Sequence, residues 1–419
     1  MQFSKVLVVG LGYIGLPTAA IFASHKIRVV GLDVSKHVVD TVNRGEIHIV
    51  EPALDIVVKN AVIQGFLRAT LEPESADAYL ITVPTPFKGD NHEPDLDYVE
   101  RASRAIAGVL KAGDLVILES TSPVGTTQQM AEWLAEARPD LTFPHQKGEA
   151  SDVRIAHCPE RVLPGQVMRE LIENNRIIGG MTAACSAAAA SLYKIFLKGE
   201  CALTDARTAE LVKLTENSFR DVNIAFANEL SLVCEKLGVN VWELIALANL
   251  HPRVNILQPG PGVGGHCIAV DPWFIVSGAP DEPKLIRQAR EVNDAKPAWV
   301  IAKVNQALGD YLARNPSMTA SDVVIACYGL AFKPNIDDMR ESPALSIAMA
   351  LSERFPGKVV AVEPHLERGE GSYRNLCLAT AEDALRMADI HLVLVKHSAF
   401  SNLDFPADLT IDVVGLVPC

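Results

Sequence analysis

Gly10-Leu11-Gly12-Tyr13-Ile14-Gly15 follows directly on an apolar run at residues 6–9 and opens a helical pattern that reaches residue 24, while Asp33 ends the next apolar run. The first glycine permits a tight turn, the second lets the backbone approach a pyrophosphate, and the third lets the helix pack close to the strand. Asp33 would accept hydrogen bonds from a ribose and repel a 2′-phosphate. The stretch therefore predicts a Rossmann fold that binds NAD in preference to NADP, although Lys36 lies nearby and would suit the 2′-phosphate of NADP.

Apolar runs alternate with helical patterns around this stretch and again later in the sequence. The earlier part has runs at 6–9, 28–32, 78–83 and 115–118, with helical patterns at 13–24 and 96–110. The later part has runs at 323–328, 359–362, 390–395 and 411–413, with helical patterns at 343–354 and 381–387. This alternation predicts an α/β fold of two Rossmann-like, doubly wound parallel-sheet domains.

The segment between these two parts has a different pattern. Residues 204–238 carry apolar side chains at three- and four-residue steps, which predicts one long helix of roughly 50 Å ending at Gly238. Such a helix would connect the two α/β domains and offer a surface for a homodimer or higher homo-oligomer. We expect an NAD-binding domain at 1–200, a central helical dimerisation domain at 201–305 and a second Rossmann-like domain at 306–419.

Composition limits what the protein binds and where it works. The 419 residues include 38 Lys and Arg against 51 Asp and Glu, a net charge of −13, which disfavours nucleic acid and nonspecific binding of polyphosphates. The eight cysteines are widely spaced and show no zinc-binding pattern, so we expect free thiols, no metal and a reducing compartment. With no signal-peptide or membrane-spanning pattern, the sequence predicts a soluble cytoplasmic protein.

The most unusual stretch is a loop rich in glycine and proline at residues 258–272. It places Cys267 next to His266 and four residues before Asp271. A thiol with an imidazole and a carboxylate close by fits a nucleophile with an acid or base, because a Gly/Pro loop offers little apolar core for a structural thiol. The other cysteines are better explained as packing.

Polar residues interrupt the apolar pattern of the long helix. Lys213 and Asn217 lie four residues apart on one face, with Glu210 one turn before and Arg220 and Asp221 one turn after. A stripe of this kind either faces solvent or lines a cleft. Thr121 and Glu160 each follow an apolar strand of the first domain and are candidates for contact with water or a hydroxyl group.

The second α/β part lacks the glycine fingerprint. Its first strand runs into residues 329–334 and then into 337–343 before a helix. Lys333 and Arg340 thus follow a strand, where ligands of open α/β sheets bind, and a cation there suits a phosphate or a carboxylate. Surface salt bridges with the neighbouring acids are an equally good explanation of these residues.

Taken together, the motifs resemble the UDP-sugar 6-dehydrogenase family over nearly the whole chain. The resemblance rests on GLGYIGLP, ITVPTP, ESTSPVGTT, CPERVLPG, LTENSFRDVNIAFANEL, HPRVNILQPGPGVGGHCIAVDPWF and GLAFKPNIDDMRESP. UDP-glucose members typically carry Ser before the catalytic Cys and Lys before the Asp, where this sequence has His266 and Val270. This departure counts against glucose as the sugar.

The resemblance implies a four-electron oxidation that uses two NAD+. The C6 alcohol of a UDP-sugar becomes an aldehyde, the Cys267 thiolate traps it as a thiohemiacetal, and a second hydride transfer gives a thioester that water hydrolyses. Lys213 and Asn217 would stabilise the oxyanion. Asp271 and Glu160 would position or deprotonate water, and Thr121 would assist.

The resemblance also implies the ligand contacts. NAD would be bound by Gly10, Gly12, Tyr13, Ile14, Gly15, Asp33, Thr85, Thr121 and Arg340. The UDP-sugar would be bound by Glu160, Arg161, Lys213, Asn217, Arg220, His251, Arg253, Gly264 and Lys333, with Arg253 donated by the neighbouring subunit. The motifs match most closely those of members that oxidise UDP-N-acetyl-D-mannosamine for enterobacterial common antigen.

Three alternatives stay open from the sequence. The same reaction could act on UDP-N-acetylglucosamine or UDP-glucose. A two-electron hydroxyacid dehydrogenase also pairs a Rossmann domain with a helical dimerisation region, but it has no need of Cys267. A non-catalytic NAD-sensing or scaffold protein would have no need of the set Lys213, Asn217, Cys267 and Asp271.

Overall fold

The glycine-rich stretch forms the predicted strand, turn and helix. In the computed structural model, which describes residues 3–89, 92–163, 165–265, 267–366 and 372–417, strand β1 (Lys5–Val9) leads through Gly10 into helix α1 (Gly15–Ser24). Gly10 has φ 88°, a left-handed conformation that glycine adopts at no steric cost. The chain divides into two compact units, Met1–Glu216 with Trp273–Pro280 and Asn217–Pro272 with Asp281–Cys419.

The first unit contains an eight-stranded sheet in the order β10-β9-β8-β7-β4-β1-β2-β3, and β5 and β6 form a separate hairpin. After β1, its strands are β2 (Arg28–Leu32), β3 (Leu67–Thr70), β4 (Ala78–Ile81), β5 (Phe87–Lys88), β6 (Glu93–Pro94), β7 (Leu115–Leu118), β8 (Arg154–His157), β9 (Arg176–Gly180) and β10 (Cys201–Asp205). All neighbours in the large sheet are parallel except β8 and β9. The expectation of a parallel sheet is therefore wrong at this pair, where the chain re-enters the sheet at the end by which it left.

Helices cover both faces of this sheet. They are α2 (Lys36–Asn43), α3 (Leu54–Ile63), α4 (Asp97–Ala107), α5 (Thr126–Ala137), α6 (Pro144–Lys147), α7 (Val167–Glu173) and α8 (Ala183–Tyr193), in addition to α1. Successive residues of β1 point to opposite faces: Val6 and Val8 join the core that includes α1, whereas Leu7 and Val9 join the core that includes α4 and α5. This two-sided core explains why the strands are continuous apolar runs.

The second unit repeats the plan with a six-stranded sheet in the order β13-β14-β12-β11-β15-β16. Its elements are β11 (Val324–Tyr328), α13 (Pro343–Arg354), β12 (Lys358–Val362), β13 (Ser372–Tyr373), β14 (Leu376–Leu378), α14 (Ala381–Met387), β15 (Ile390–Val393) and β16 (Thr410–Asp412). Among the strands that the structure describes in this sheet, the short β13–β14 pair is antiparallel and the other pairs are parallel. The prediction of two Rossmann-like α/β domains is confirmed.

The predicted long helix is present as α9 (Ala206–Leu237), which begins in the first unit and ends in the second. The remaining helices are α10 (Val241–Ala248), α11 (Asp271–Gly278) and α12 (Lys284–Arg314). The sequence pattern did not reveal α12, because Pro297 lies inside it and its buried face includes Arg290, Asn293 and Lys296. None of the helices in the described part of the chain has the length and apolar character needed to cross a membrane.

Candidate active site

The Gly/Pro loop holds Cys267 in a turn that leads into α11. The carbonyl oxygen of Cys267 accepts hydrogen bonds from the backbone N–H groups of Val270 (3.1 Å) and Asp271 (2.8 Å), and the thiol-bearing residue is exposed. This turn fixes where the thiol stands relative to the first residue of the helix. His266, which the sequence suggested as its acid or base, lies outside the described residues.

Asn217 and Asp271 meet in the second unit, although 54 residues separate them in the sequence. The Asn217 Nδ2 atom donates to Asp271 Oδ2 at 2.5 Å, and Asp271 is buried. The structure thus brings two of the predicted catalytic residues together at the start of α11. Lys213 precedes Asn217 by one turn of α9 and shares its face of the helix.

The cysteine loop packs on the segment that follows β11. A Cβ atom on Gly264 would lie 2.5 Å from the carbonyl oxygen of Glu341 and 2.9 Å from Pro343 Cδ, so this position accepts only glycine. The Gly265 N–H donates to the carbonyl oxygen of Arg340 at 3.1 Å. The cysteine loop and the segment after β11, which are separate in the sequence, therefore pack against each other.

A buried carboxylate organises that segment. Glu363, which follows β12, accepts hydrogen bonds at Oε2 from the backbone of Leu330 (2.7 Å) and Ala331 (3.1 Å). His397 Nε2 lies 3.2 Å from the same oxygen, and His397 Nδ1 accepts from the Asn335 N–H at 3.0 Å. Burial alone would raise the pKa of Glu363, but these hydrogen bonds hold it below its usual value.

Glu363, His365 and His397 have potential metal-ligand atoms within 4.8 Å of one another. Both ring nitrogens of His397 already have partners, however. Nδ1 accepts from Asn335, so Nε2 carries the proton that it donates to Glu363, and a protonated nitrogen cannot bind a metal. The group therefore holds the loop. Sequence reasoning missed Glu363 and His397, although Glu363 occupies the position after the second strand that Asp33 occupies in the first sheet.

The two cations of the loop differ in their surroundings. Lys333 is half-buried, with its amine 5.7 Å from the centre of the Phe332 ring. The Arg340 guanidinium forms an ion pair with Asp338, with a shortest distance of 2.6 Å. The local salt bridge considered from the sequence thus exists for Arg340, and the proposed contact of this arginine with NAD stays a prediction.

The NAD fingerprint in the first unit has little room for change. A Cβ on Gly15 would lie 1.8 Å from the Gly10 carbonyl oxygen and 2.4 Å from Thr82 Oγ1, whereas no atom of the described structure lies within 4 Å of one on Gly12. Asp33 accepts from the Leu11 N–H at Oδ2 (2.9 Å) and from the Ser35 N–H at Oδ1 (2.8 Å) while staying half-exposed. Tyr13 and Ile14 lie at the start of α1, with Tyr13 exposed. This arrangement fits a dinucleotide: space beside Gly12 for the pyrophosphate and an acid within reach of a ribose.

The loops after β4 and β7 are joined at their predicted functional residues. The Thr85 hydroxyl donates to the carbonyl oxygen of Thr121 at 2.5 Å. Since β4 lies between β1 and β7 in the sheet, both threonines lie at the same carboxyl edge as the glycine turn. Ligands of open α/β sheets bind at this edge.

Glu160 and Arg161 point to different partners. Glu160 Oε2 accepts from Arg176 Nη2 at 2.9 Å, and Arg161 binds Glu216 of α9 through two nitrogen atoms, with a shortest distance of 2.6 Å. Arg176 had no signal in the sequence, because an arginine that opens a strand usually faces solvent.

The polar stripe on α9 is not one surface. Glu210 is buried and accepts from Gly125 and Thr127, and Asp221 is buried against Arg290, so both anchor the helix and do not line a cleft. Arg220, His251 and Arg253 are exposed. Of these, His251 Nδ1 accepts the Arg253 N–H at 3.3 Å.

The glycine turn, the two similar sheets and the cysteine loop define a nucleotide-sugar dehydrogenase, and the chain belongs to the UDP-glucose/GDP-mannose dehydrogenase family. It matches the family's NAD binding domain at residues 4–197, its central domain at 207–295 and its UDP binding domain at 326–416. The predicted family and the NAD cofactor are thereby confirmed.

Individual members of the family show which of its proteins the chain is similar to. The chain is 65% identical over 405 residues to UDP-N-acetyl-D-mannosamine dehydrogenase of Escherichia coli K12, with 96% of each chain covered. It is 61% identical over 404 residues to NDP-N-acetyl-D-galactosaminuronic acid dehydrogenase of Ralstonia nicotianae, covering 96% of this chain and 93% of the relative. A solved UDP-D-ManNAc dehydrogenase from Pyrococcus horikoshii superposes with a TM-score of 0.88 at 39% identity, covering 99% of this chain and 96% of that one.

Proposed function

We propose that the protein oxidises C6 of UDP-N-acetyl-D-mannosamine to the carboxylate at the expense of two NAD+. The observation that carries this proposal is the exposed Cys267 in a turn whose next helix starts at Asp271, itself hydrogen-bonded to Asn217. A two-electron dehydrogenase needs no nucleophile of this kind. When bound, NAD+ supplies a hydride acceptor for each of the two oxidations.

Each step of the proposed reaction is assigned to particular residues of the site. The Cys267 thiolate attacks the aldehyde carbon to give a thiohemiacetal, which loses hydride to become a thioester. Asn217, oriented by its bond to Asp271, and Lys213, one turn away on α9, stabilise the oxyanion of the thiohemiacetal. In hydrolysis the water oxygen bonds to the acyl carbon, and the C–S electron pair returns to Cys267.

Glu160 accepts the proton of that water in this proposal. Its hydrogen bond to the Arg176 guanidinium holds the carboxylate in place, and a carboxylate is a group that can take a proton from water. Thr121 assists as a hydroxyl contact at the same sheet edge as Thr85. Lys333 binds the UDP phosphates in this proposal. Its loop is fixed at Leu330 and Ala331 on one side and at Asn335 on the other, which keeps the lysine in one place.

The identity of the sugar rests on the named relatives and on His266 and Val270. A second candidate, an N-acetylgalactosamine nucleotide, is favoured by the Ralstonia relative at 61% identity. Side-by-side assays of UDP-N-acetylmannosamine, UDP-N-acetylgalactosamine, UDP-N-acetylglucosamine and UDP-glucose separate the candidates. We further propose a cytoplasmic enzyme that supplies the uronate for a cell-surface polysaccharide such as enterobacterial common antigen.

Counting NADH against sugar tests the four-electron reaction. We expect two NADH per sugar consumed, and Cys267→Ser should lower turnover by roughly 100-fold or more because an alkoxide is a poorer nucleophile and leaving group here. Cys377→Ser is the matched control, since Cys377 is an exposed free thiol of the same unit. A ratio of one, or full activity in Cys267→Ser, would contradict the mechanism.

We also propose that α9 forms a homodimer. Phe219, Phe226 and Val233 are exposed at seven-residue spacing on one helix, a pattern typical of a helix–helix seam. Phe226→Glu should shift the sedimenting mass to that of a monomer, while Ile63→Glu, at an exposed apolar residue of α3, should not. A monomeric mass of the unmodified chain at micromolar concentration would disprove the dimer.

Donation of Arg253 to the partner's site can be tested by complementation. Arg253→Ala and Cys267→Ser should each be inactive alone. A mixed dimer would have one site with an intact thiol and an intact arginine, so co-expression should restore about a quarter of wild-type activity. No recovery in verified mixed dimers would place Arg253 in its own subunit's site.

A further inference from the structure

A buried charge cluster surrounds Arg176, the first residue of β9. Its guanidinium lies 2.9 Å from Glu160 Oε2 and 3.6 Å from Glu119 Oε1, and its Cζ atom lies 4.4 Å from the centre of the Tyr193 ring. The Tyr193 hydroxyl donates to Glu119 Oε1 at 2.5 Å. The relative exposures of these side chains are 5% for Arg176, 0% for Glu119 and 10% for Glu160, so water screens the charges little.

The cluster holds two carboxyl groups against one positive charge. Glu119 Oε2 is buried and has no hydrogen-bond partner in the described part of the structure, an unfavourable position for a full negative charge. Burial, opposed by Arg176 and reinforced by Glu160, raises the pKa of Glu119 to about 7. The neighbouring Cys158 thiol, 3.5 Å from Arg176 Nη1, has its pKa raised to about 12 by burial and stays neutral. Glu119 is therefore the member of the cluster whose charge changes near neutrality.

We propose that Glu119, Arg176 and Glu160 form a charge-sharing trio in which Glu119 acts as a positioning residue that sets how firmly Arg176 holds the Glu160 carboxylate. When Glu119 is protonated, the guanidinium pairs with Glu160 alone and holds that carboxylate away from the water. When Glu119 ionises, Arg176 is shared between two carboxylates, and its bond to Glu160 weakens, which frees Glu160 to act on the water. The inference rests on the proposed role of Glu160 as acceptor of the water proton in thioester hydrolysis.

The position of Glu119 supports this role. It directly follows β7 and precedes Thr121 by two residues, so it lies at the carboxyl edge where the ligand is expected. Asp114 directly precedes the same strand, at the opposite edge. Burial likewise raises the pKa of Asp114 to about 6, which makes Asp114→Asn a control for the loss of a buried carboxyl group of similar kind.

The test is the pH dependence of kcat in Glu119→Gln, a change that keeps the shape of the side chain. In the unmodified enzyme and in Asp114→Asn, kcat should rise with pH through an inflection near 7. In Glu119→Gln that inflection should be absent and kcat at pH 8 should fall roughly three- to tenfold, with KM for the UDP-sugar within twofold. An unchanged inflection, or an equal loss at all pH values with a raised KM, would overturn the proposal.

A second variant covers the case in which Glu119→Gln does not fold. Tyr193→Phe removes the hydrogen bond that favours ionised Glu119, so the inflection should move to higher pH. An inflection that stays in place would show that Glu119 does not control it.

Infrared difference spectra of the enzyme without substrate separate this inference from the proposed function. Between pH 6 and pH 8 the carbonyl band of a protonated carboxyl group should disappear, and Glu119→Gln should lack that change. If the band change depends on Glu119 but the protein oxidises no UDP-sugar, the proposed function is wrong and the charge-sharing trio is still supported. A normal turnover with a spectrum indifferent to Glu119 would sink the trio alone.

Discussion

The two Rossmann-like sheets share a frame down to single hydrogen bonds. In the first, Gly10 follows β1 with φ 88° and donates to the Leu32 carbonyl oxygen at 2.8 Å. In the second, Gly329 follows β11 with φ 91° and donates to the Val362 carbonyl oxygen at 2.8 Å. An acid then follows the second strand of each sheet, Asp33 in one and Glu363 in the other. The frame alone therefore does not decide which ligand a sheet binds.

The two sheets differ in how exposed each acid is and in how many further hydrogen bonds it can accept. Asp33 takes one backbone N–H on each oxygen and stays half-exposed, so it can still accept from a ribose. Glu363 is fully enclosed, and Leu330, Ala331 and His397 all bond to one of its oxygens. The first acid stays open to a ligand, whereas the second shapes the long loop that carries Lys333. Comparable positions thus leave an acid available for recognition in one sheet and use it for loop construction in the other.

The largest expected effect is at Gly15. In Gly15→Ala the added methyl group would lie 1.8 Å from the Gly10 carbonyl oxygen, and since that atom is backbone, the turn itself must move. We expect NAD affinity to fall by roughly 100-fold or more, which calorimetric titration measures. An affinity within fivefold of the unmodified protein would show that the turn does not set the pyrophosphate site.

Two glycines provide controls for Gly15→Ala. Gly12→Ala meets no described atom within 4 Å, so it should weaken NAD binding without lowering the unfolding temperature. Gly329→Ala would bring a Cβ to 2.4 Å from Val395 Cβ, so it should destabilise the second sheet and lower NAD affinity far less than Gly15→Ala does.

Glu363→Gln is next in size. Oε2 accepts from Leu330, Ala331 and His397, and Oε1 accepts from the His365 N–H, so a Gln amide nitrogen opposes a donor in either orientation. With no water to take over, the cost should be about 1–3 kcal/mol of unfolding free energy, measured by urea titration. UDP affinity should fall with the displaced Lys333 loop, and NAD affinity should fall much less, because Arg340 is the residue of that segment expected to reach NAD. A fall in NAD affinity as large as the fall in UDP affinity would mean that the role of Glu363 is not confined to its loop.

The sequence predicts the parts of this molecule that repeat local rules. Alternating runs identify both sheets, three- and four-residue steps give α9 nearly to its ends, and the glycine turn identifies the NAD site. No local pattern predicts the roles of Arg176, Glu119, Glu363 and His397. Their partners lie far away in the chain, and a charged residue usually lies on the surface. Asn217 and Asp271 were identified as candidates, but only folding shows that they bond to each other.

The buried carboxyl groups of the two sheets should give opposite pH dependences of stability. The pKa of Glu363 is lowered, so its contribution is present above its unfolded pKa and is lost as pH falls. The pKa of Asp114 is raised to about 6, so the folded state binds more protons between about pH 4 and 6, and stability falls as pH rises through that window. Asp114→Asn should remove on the order of 1–2 kcal/mol of this loss, seen in urea titrations at pH 4.5 and 7.5. An unchanged difference between the two pH values would assign the loss to other groups.

The smallest effect is expected for Asp33→Asn, which repeats at an exposed acid the change made at Glu363. The new amide also opposes a backbone donor, either at Leu11 or at Ser35, but water can reach the site, so the stability cost should stay below about 1 kcal/mol. Removing the charge weakens the bond to the ribose and the repulsion of a 2′-phosphate, so the ratio of NAD to NADP affinity should fall about tenfold, with Lys36 close by to favour the phosphate. Titrations with both cofactors, alongside urea unfolding, measure the two effects separately. If Asp33→Asn cost as much stability as Glu363→Gln and left the ratio unchanged, both acids would serve their loops alone, and the distinction between the two sheets would not hold.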